Sequence, residues 1–169
     1  MMLAAKSPRG TALAAMDGMT TPNDTGWRTR ILDSDADIAR LLREVKTIAV
    51  LGIKPAHTGQ PAYFVPAYAQ RAGYEVIPVP VYYPEATEIL DRPVFRKLAD
   101  IPGPVDMVNV FRRPGDIPPH VDDILAKRPK AVWMQSGISH PQVAERLARE
   151  GIEVVQDRCL MVELRQVGK

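Results

Sequence analysis

Few side chains in this sequence could do covalent chemistry, and Cys159 stands first among them as its sole cysteine. It follows Asp157 and Arg158 where an apolar run gives way to a helical pattern. An adjacent guanidinium and a helix N-terminus both favour a thiolate, so one reading is a reactive thiol. The other is a small apolar side chain that closes the sheet. The histidines offer less. His57 falls in a loop where it could touch a phosphate, His140 stands at a helix start, and His120 is expected at the surface. Gln135-Ser-Gly-Ile-Ser139 is not the G-x-S-x-G elbow of a serine hydrolase, and three scattered histidines with one cysteine give no metal-ligand spacing. Neither a catalytic residue nor a metal site is expected.

Anion binding is better represented. In Gly52-Ile-Lys-Pro-Ala-His-Thr-Gly-Gln-Pro61, Gly52 permits close backbone approach, the following helix end offers free N–H groups, and Lys54 adds charge. Neither G-x-G-x-x-G nor G-x-x-x-x-G-K-[ST] is present, so a βα loop without a ligand stays open as the alternative. Arg112 and Arg113 either supply a cation to a phosphorylated ligand or form a solvated loop. A dinucleotide site would place an Asp or Glu after the second strand to hold the ribose diol. Here that strand ends Ile77-Pro-Val-Pro80 with no acid before Glu85, which turns the reading away from NAD. The same apolar, proline-stiffened edge could pack against an adenine face.

The elements that must position these groups follow from periodicity. Ser34 with Asp37 predicts a helix start, and Ile38, Leu41, Leu42 and Val45 follow at i, i+3, i+4, i+7. Lys46-Thr-Ile-Ala-Val-Leu51 is a continuous apolar run, as expected of a strand covered on both faces. A helix is expected over 62–72, with Pro66 awkward inside it, so that either the start lies later than Pro61 or the first turn is kinked. Strands follow at 74–79, 105–111, 130–135 and 152–156. Val94, Phe95 and Leu98 suggest a short helical turn. Asp116 is expected to cap a helix to Lys127, Ser139 with Gln142 to open one to Glu150, and residues 160–165 to form a last short helix. Five strands separated by helices predict one parallel, doubly wound α/β sheet with helices on both faces. Its ligand belongs outside the carboxyl ends of the strands, where strand order reverses.

The totals set the frame. A chain of 169 residues suits one domain, and 46% hydrophobic with 25% charged residues is ordinary globular composition. A net charge of +2 without a basic run argues against nucleic-acid binding. No apolar stretch reaches the roughly 18 residues of a membrane span, and the pieces behind Lys6 and Arg9 are too short for a secretory leader. A single cysteine fits a reducing compartment, so the expectation is a cytoplasmic protein. Residues 1–30 read as a flexible arm and 31–169 as the domain.

Taken in order, Ile48-Ala-Val-Leu-Gly-Ile53, Gly73-Tyr-Glu-Val-Ile-Pro-Val79, Phe111-Arg-Arg113, Ala131-Val-Trp-Met-Gln-Ser-Gly-Ile138 and Val154-Val-Gln-Asp-Arg-Cys159 carry a likeness. The chain resembles the small CoA-binding proteins related to the CoA-binding domain of the succinyl-CoA synthetase α subunit. The resemblance spans residues 34–165. It implies a Rossmann-like fold that binds coenzyme A or an acyl-CoA. It places Gly52, Ile53 and Lys54 in the first turn, Pro78 and Val79 at the adenine side, and Arg112, Ser136, Gly137 and Ile138 along the rest of the ligand. Under it a reactive Cys159 could form a mixed disulfide with the thiol of coenzyme A. Two departures stand out: relatives continue the second strand Pro-Val-Asn-Pro where this chain has Pro80, and often carry a serine where it has Ala62. Both remove polar groups from the ligand's side. The expected role is a binding module without catalysis of its own; the alternatives are a thiol-dependent or acyl-CoA enzyme component, or a regulatory domain that has lost its ligand.

Overall fold

The computed structural model describes residues 25–169. The expected flexible arm falls mostly outside these residues. At its end, Gly26–Arg30 forms a 3-10 turn, after which Leu32 N–H donates to Val154 O at 2.8 Å. Five parallel strands make the sheet: β1 (Thr47–Leu51), β2 (Glu75–Val79), β5 (Met107–Val110), β6 (Ala131–Met134) and β7 (Glu153–Val155). Their spatial order is β2-β1-β5-β6-β7, all neighbours parallel. A separate antiparallel pair, β3 (Glu88–Ile89) and β4 (Arg92–Pro93), lies within the connection from β2 to β5.

Alternation along each strand sends side chains to two cores. Ile48, Val50, Met107, Trp133 and Val155 meet α1 (Asp35–Glu44), α2 (Pro61–Arg71) and α5 (Leu160–Gln166) on one face. Ala49, Leu51, Val108, Val132 and Met134 meet α3 (Val121–Lys127) and α4 (Pro141–Arg149) on the other. This is the doubly wound α/β arrangement, and Trp133 and Met134 are fully buried within it.

Helix starts show where local rules competed. Ser34 caps α1 as expected, accepting the Asp37 N–H at 3.1 Å and donating its hydroxyl to Asp37 at 2.9 Å. Asp116 does not cap α3. A cap at 116 would have to bond the N–H of residue 118 or 119, and both are prolines. The segment instead winds through 3-10 turns at Pro114–Asp116 and Pro118–His120 before α3 begins. Ser139 is likewise displaced: Pro141 occupies the first helical position, so His140 becomes the cap and its Nδ1 accepts the Val143 N–H at 3.2 Å. The expected turn near Leu98 is a 3-10 turn, Leu98–Asp100, held by the Asp123 carboxylate on two N–H groups.

Two features fix the end of β1. Pro66 lies inside α2, which begins at Pro61 rather than later. Lacking an N–H, Pro66 leaves the Ala62 carbonyl free, and Lys54 N–H donates to it at 3.2 Å. Gly52, at φ +91°, donates its N–H to Val79 O at 2.9 Å, and a Cβ built there would lie 2.3 Å from Phe111 O. Gly52→Ala should therefore lower stability to urea unfolding by more than about 2 kcal/mol, through left-handed strain and backbone clash together. Gly59→Ala, at φ +61° with open space around it, should cost only about 1 kcal/mol. Equal costs would show that the contact with Phe111 yields easily.

Candidate functional site

Strand order reverses between β1 and β5, because β2 lies to one side of β1 and β5, β6 and β7 to the other. Carboxyl ends at such a reversal leave a crevice, since the chains leave neighbouring strands in opposite directions. Here Lys54 follows β1, and Phe111, Arg112 and Arg113 follow β5. Together with Tyr82, Tyr83 and Asp116 they line a cleft of about 290 Å³. Phe111 N–H donates to Leu51 O at 2.8 Å, so the two loops start from one hydrogen-bonded ladder.

Arg112 dominates the electrostatics. Its side chain is only 14% exposed, and its nearest carboxylate, Asp116, stands 4.0 Å away. Its guanidinium lies 5.4 Å from the centre of the Tyr82 ring, and its buried Nε has no hydrogen-bond partner. A largely hidden cation against an aromatic face, without a close carboxylate, suits an anionic ligand. The Lys54 Nζ donates to Gln60 Oε1 at 2.5 Å, a neutral partner that leaves the ammonium charge uncompensated. His57 is exposed and meets the Tyr83 ring edge-on at 6.1 Å.

Other expected residues sit elsewhere. Ile53 is 1% exposed and packs into the core, and it does not line the cleft. Val79 is fully buried, and its carbonyl holds Gly52 N–H. Pro78 is buried too; it lines a groove on the outer edge of β2 with Ile77, Phe95 and Ile101, and its carbonyl accepts Phe95 N–H. Ser136, Gly137 and Ile138 follow β6, two strands from β1, and do not line the cleft. They form a turn in which Gly137 N–H donates to Asp157 Oδ1 at 2.6 Å and Asp157 N–H to Ile138 O at 2.9 Å.

Cys159 lies at this far end, half-buried, as the N-cap residue of α5. The peptides flanking it are held: Trp133 Nε1 donates to Arg158 O at 2.8 Å and Leu160 N–H to Gln135 Oε1 at 3.3 Å. Arg158, expected beside the thiol, directs its guanidinium to Asp33, Asp35 and Glu163. Beneath lies Asn109, fully buried, donating to Trp133 O at 3.3 Å with its Oδ1 unpartnered. The sequence signal was a lone amide in an apolar strand. Tyr82 and Tyr83 fall in the stretch after β2 that the strand-end rule marks as a candidate, whereas Asp116 was read only as a helix cap. Among the described residues no three His, Cys, Asp or Glu gather as a metal site, and no helix is long and apolar enough to cross a membrane.

His120, expected at the surface, is half-buried. Burial, and then the Arg112 charge, hold its pKa below 6.5, with Asp123 and Asp116 acting in opposition. Between that lowered value and about 6.5 the unfolded chain binds a proton that the folded chain refuses, so stability falls as pH drops through this window. Proton NMR should show His120 titrating below 6.5, and Arg112→Ala should raise the midpoint without restoring it fully, because burial remains. An unchanged midpoint would separate His120 from the Arg112 field.

Residues 46–165 match the family described as "CoA binding domain". The Bacillus subtilis (strain 168) protein YneT is 34% identical over 131 residues, 76% of this chain and 93% of its own length. A solved Thermus thermophilus structure is 40% identical, covering 80% of this chain and 99% of that one at a TM-score of 0.73. A Pyrococcus horikoshii OT3 structure, 29% identical, covers 80% of this chain and 92% of its own at a TM-score of 0.73. Sequence and fold thus agree over the same stretch of chain that builds the sheet and its crevice, and the chain belongs to the CoA binding domain family.

Proposed function

We propose that the chain binds coenzyme A or an acyl-CoA at the carboxyl edge of its sheet, as a binding module to which no catalytic step is assigned. The phosphates meet Lys54 and Arg112 at the β1–β5 crevice. The pantetheine arm then runs across the ends of β5 and β6 towards Ser136, Gly137, Ile138 and Cys159. From β1 to β7 is three inter-strand spacings, about 14 Å, which suits an extended ligand better than a compact one. The observation that carries the reading is Arg112: a cation 14% exposed at the crevice, loosely held by Asp116 and set against the Tyr82 ring. Pro80 and Ala62, the two departures from the family pattern, are both buried and do not line the cleft.

Calorimetry and thermal unfolding with CoA, acetyl-CoA, NADPH and ATP test it. CoA at a hundredfold excess over its Kd should stabilise the fold by about 2.7 kcal/mol. Neither heat nor a shift in Tm with millimolar CoA would end the reading. Lys54→Ala and Arg112→Ala should each weaken binding by about tenfold or more, as expected from a charged hydrogen bond of ~1.5–3 kcal/mol. Unchanged affinity in both would place the phosphates elsewhere.

A further inference from the structure

Tyr82 and Tyr83 reach the cleft on a loop that has no ladder of its own. Tyr83 adopts φ +66°, a left-handed conformation uncommon for a bulky side chain. Within the loop, Ala86 N–H donates to Tyr83 O at 3.0 Å. What gathers the remaining backbone is one side chain. Arg96 sets its guanidinium against four carbonyls: Tyr82 at 3.3 Å, Tyr83 at 3.0 Å, Pro84 at 3.3 Å and Ala86 at 2.8 Å. The residue before it is tied to the sheet, since Phe95 N–H donates to Pro78 O at 2.9 Å, and Val94 N–H holds Thr87 O at 3.1 Å. Arg96 thus links a fixed point on the β2 edge to a strained loop. A planar fork with five donors suits this, whereas a lysine offers one point charge.

We propose that Arg96 is a positioning residue of the nucleotide site. It acts without touching the ligand, by pinning the loop that lays Tyr82 over Arg112 and Tyr83 against His57. The inference rests on the coenzyme A reading for its effect on affinity, but not for its effect on the loop. Without the pin the loop samples other conformations, and apparent affinity falls by the fraction that remains competent.

Hydrogen exchange of residues 80–87, CoA calorimetry and Tm are measured on the full chain and on Arg96→Ala. Exchange over 80–87 should rise while the sheet strands stay protected, and CoA should bind roughly tenfold more weakly if about one loop in ten stays in place. Arg96→Lys should recover part of both effects, and it serves as the test variant if Arg96→Ala proves unstable. Lys54→Ala should weaken CoA binding with no change in exchange over 80–87. Unchanged exchange in Arg96→Ala would overturn the proposal, and so would a loosened loop with unaltered affinity. If the unmodified protein bound no CoA, the ligand reading would fall by itself, while exchange would still judge the pin.

Discussion

Residue 52 has no room for a Cβ. The backbone turns there at φ +91°, with Phe111 O where the side chain would begin. This contact joins the loop after β1 to the loop after β5, the two that diverge at the reversal of strand order. The two loops that carry Lys54 and Arg112 therefore start from a close backbone contact. Widening that contact by even one methyl group would separate the two cations that the ligand is proposed to bridge. Close packing transmits such a change, because neighbouring strands cannot give by a few tenths of an ångström independently.

Backbone hydrogen bonding extends this constraint outward. Pro66 would ordinarily weaken a helix by removing a donor. Here the carbonyl it frees is occupied by Lys54 N–H, so the irregularity in α2 anchors the loop that carries the lysine. His140 shows the same exchange at the other end: a proline shifts the cap by one residue, and an imidazole nitrogen takes the role expected of a serine. In one place a freed carbonyl finds a donor from outside the helix, and in the other an orphan N–H finds a side-chain acceptor.

Such matches explain what was legible in the sequence and what was not. Strand order along the chain, the two-sided cores and the α1 cap were legible, because apolar runs and i, i+3, i+4 spacing are set locally. The starts of α3 and α4 were misplaced because prolines follow both expected caps. Pro118 and Pro119 lack the N–H groups that Asp116 would bond, and Pro141, favoured at the first helical position, moves the cap from Ser139 to His140. The β3–β4 hairpin was invisible for another reason. Its strands are two residues long, and its turn places Leu90 and Asp91 at φ +59°, where Asn-Gly or Asp-Gly is the usual signal. At the site, Gly52, Lys54 and Arg112 could be named because each follows a strand. That Arg112 would lie under Tyr82 could not, since the connection from β2 to β5 has no period to read. Pro78 and Val79 were read as one edge, yet Val79 faces the core while Pro78 lines the groove on the outer edge of β2.

Arg112 shows why this part of the structure is best understood as incomplete by itself. A buried donor without a partner costs about 1–3 kcal/mol, and Nε of Arg112 is such a donor. Drawing Asp116 into full contact would pair the Nη2 end of the guanidinium and would also neutralise the charge an anionic ligand needs. At 4.0 Å the carboxylate instead steadies the guanidinium while leaving its positive field open to the cleft. Tyr82 contributes in the same sense, since an aromatic face holds a cation without supplying a competing negative charge. His120 is depressed first by its own burial and then by the Arg112 charge, so the charge here rests on an arginine that stays protonated. An ion pair left at 4.0 Å keeps that charge available to the anionic ligand proposed for the cleft.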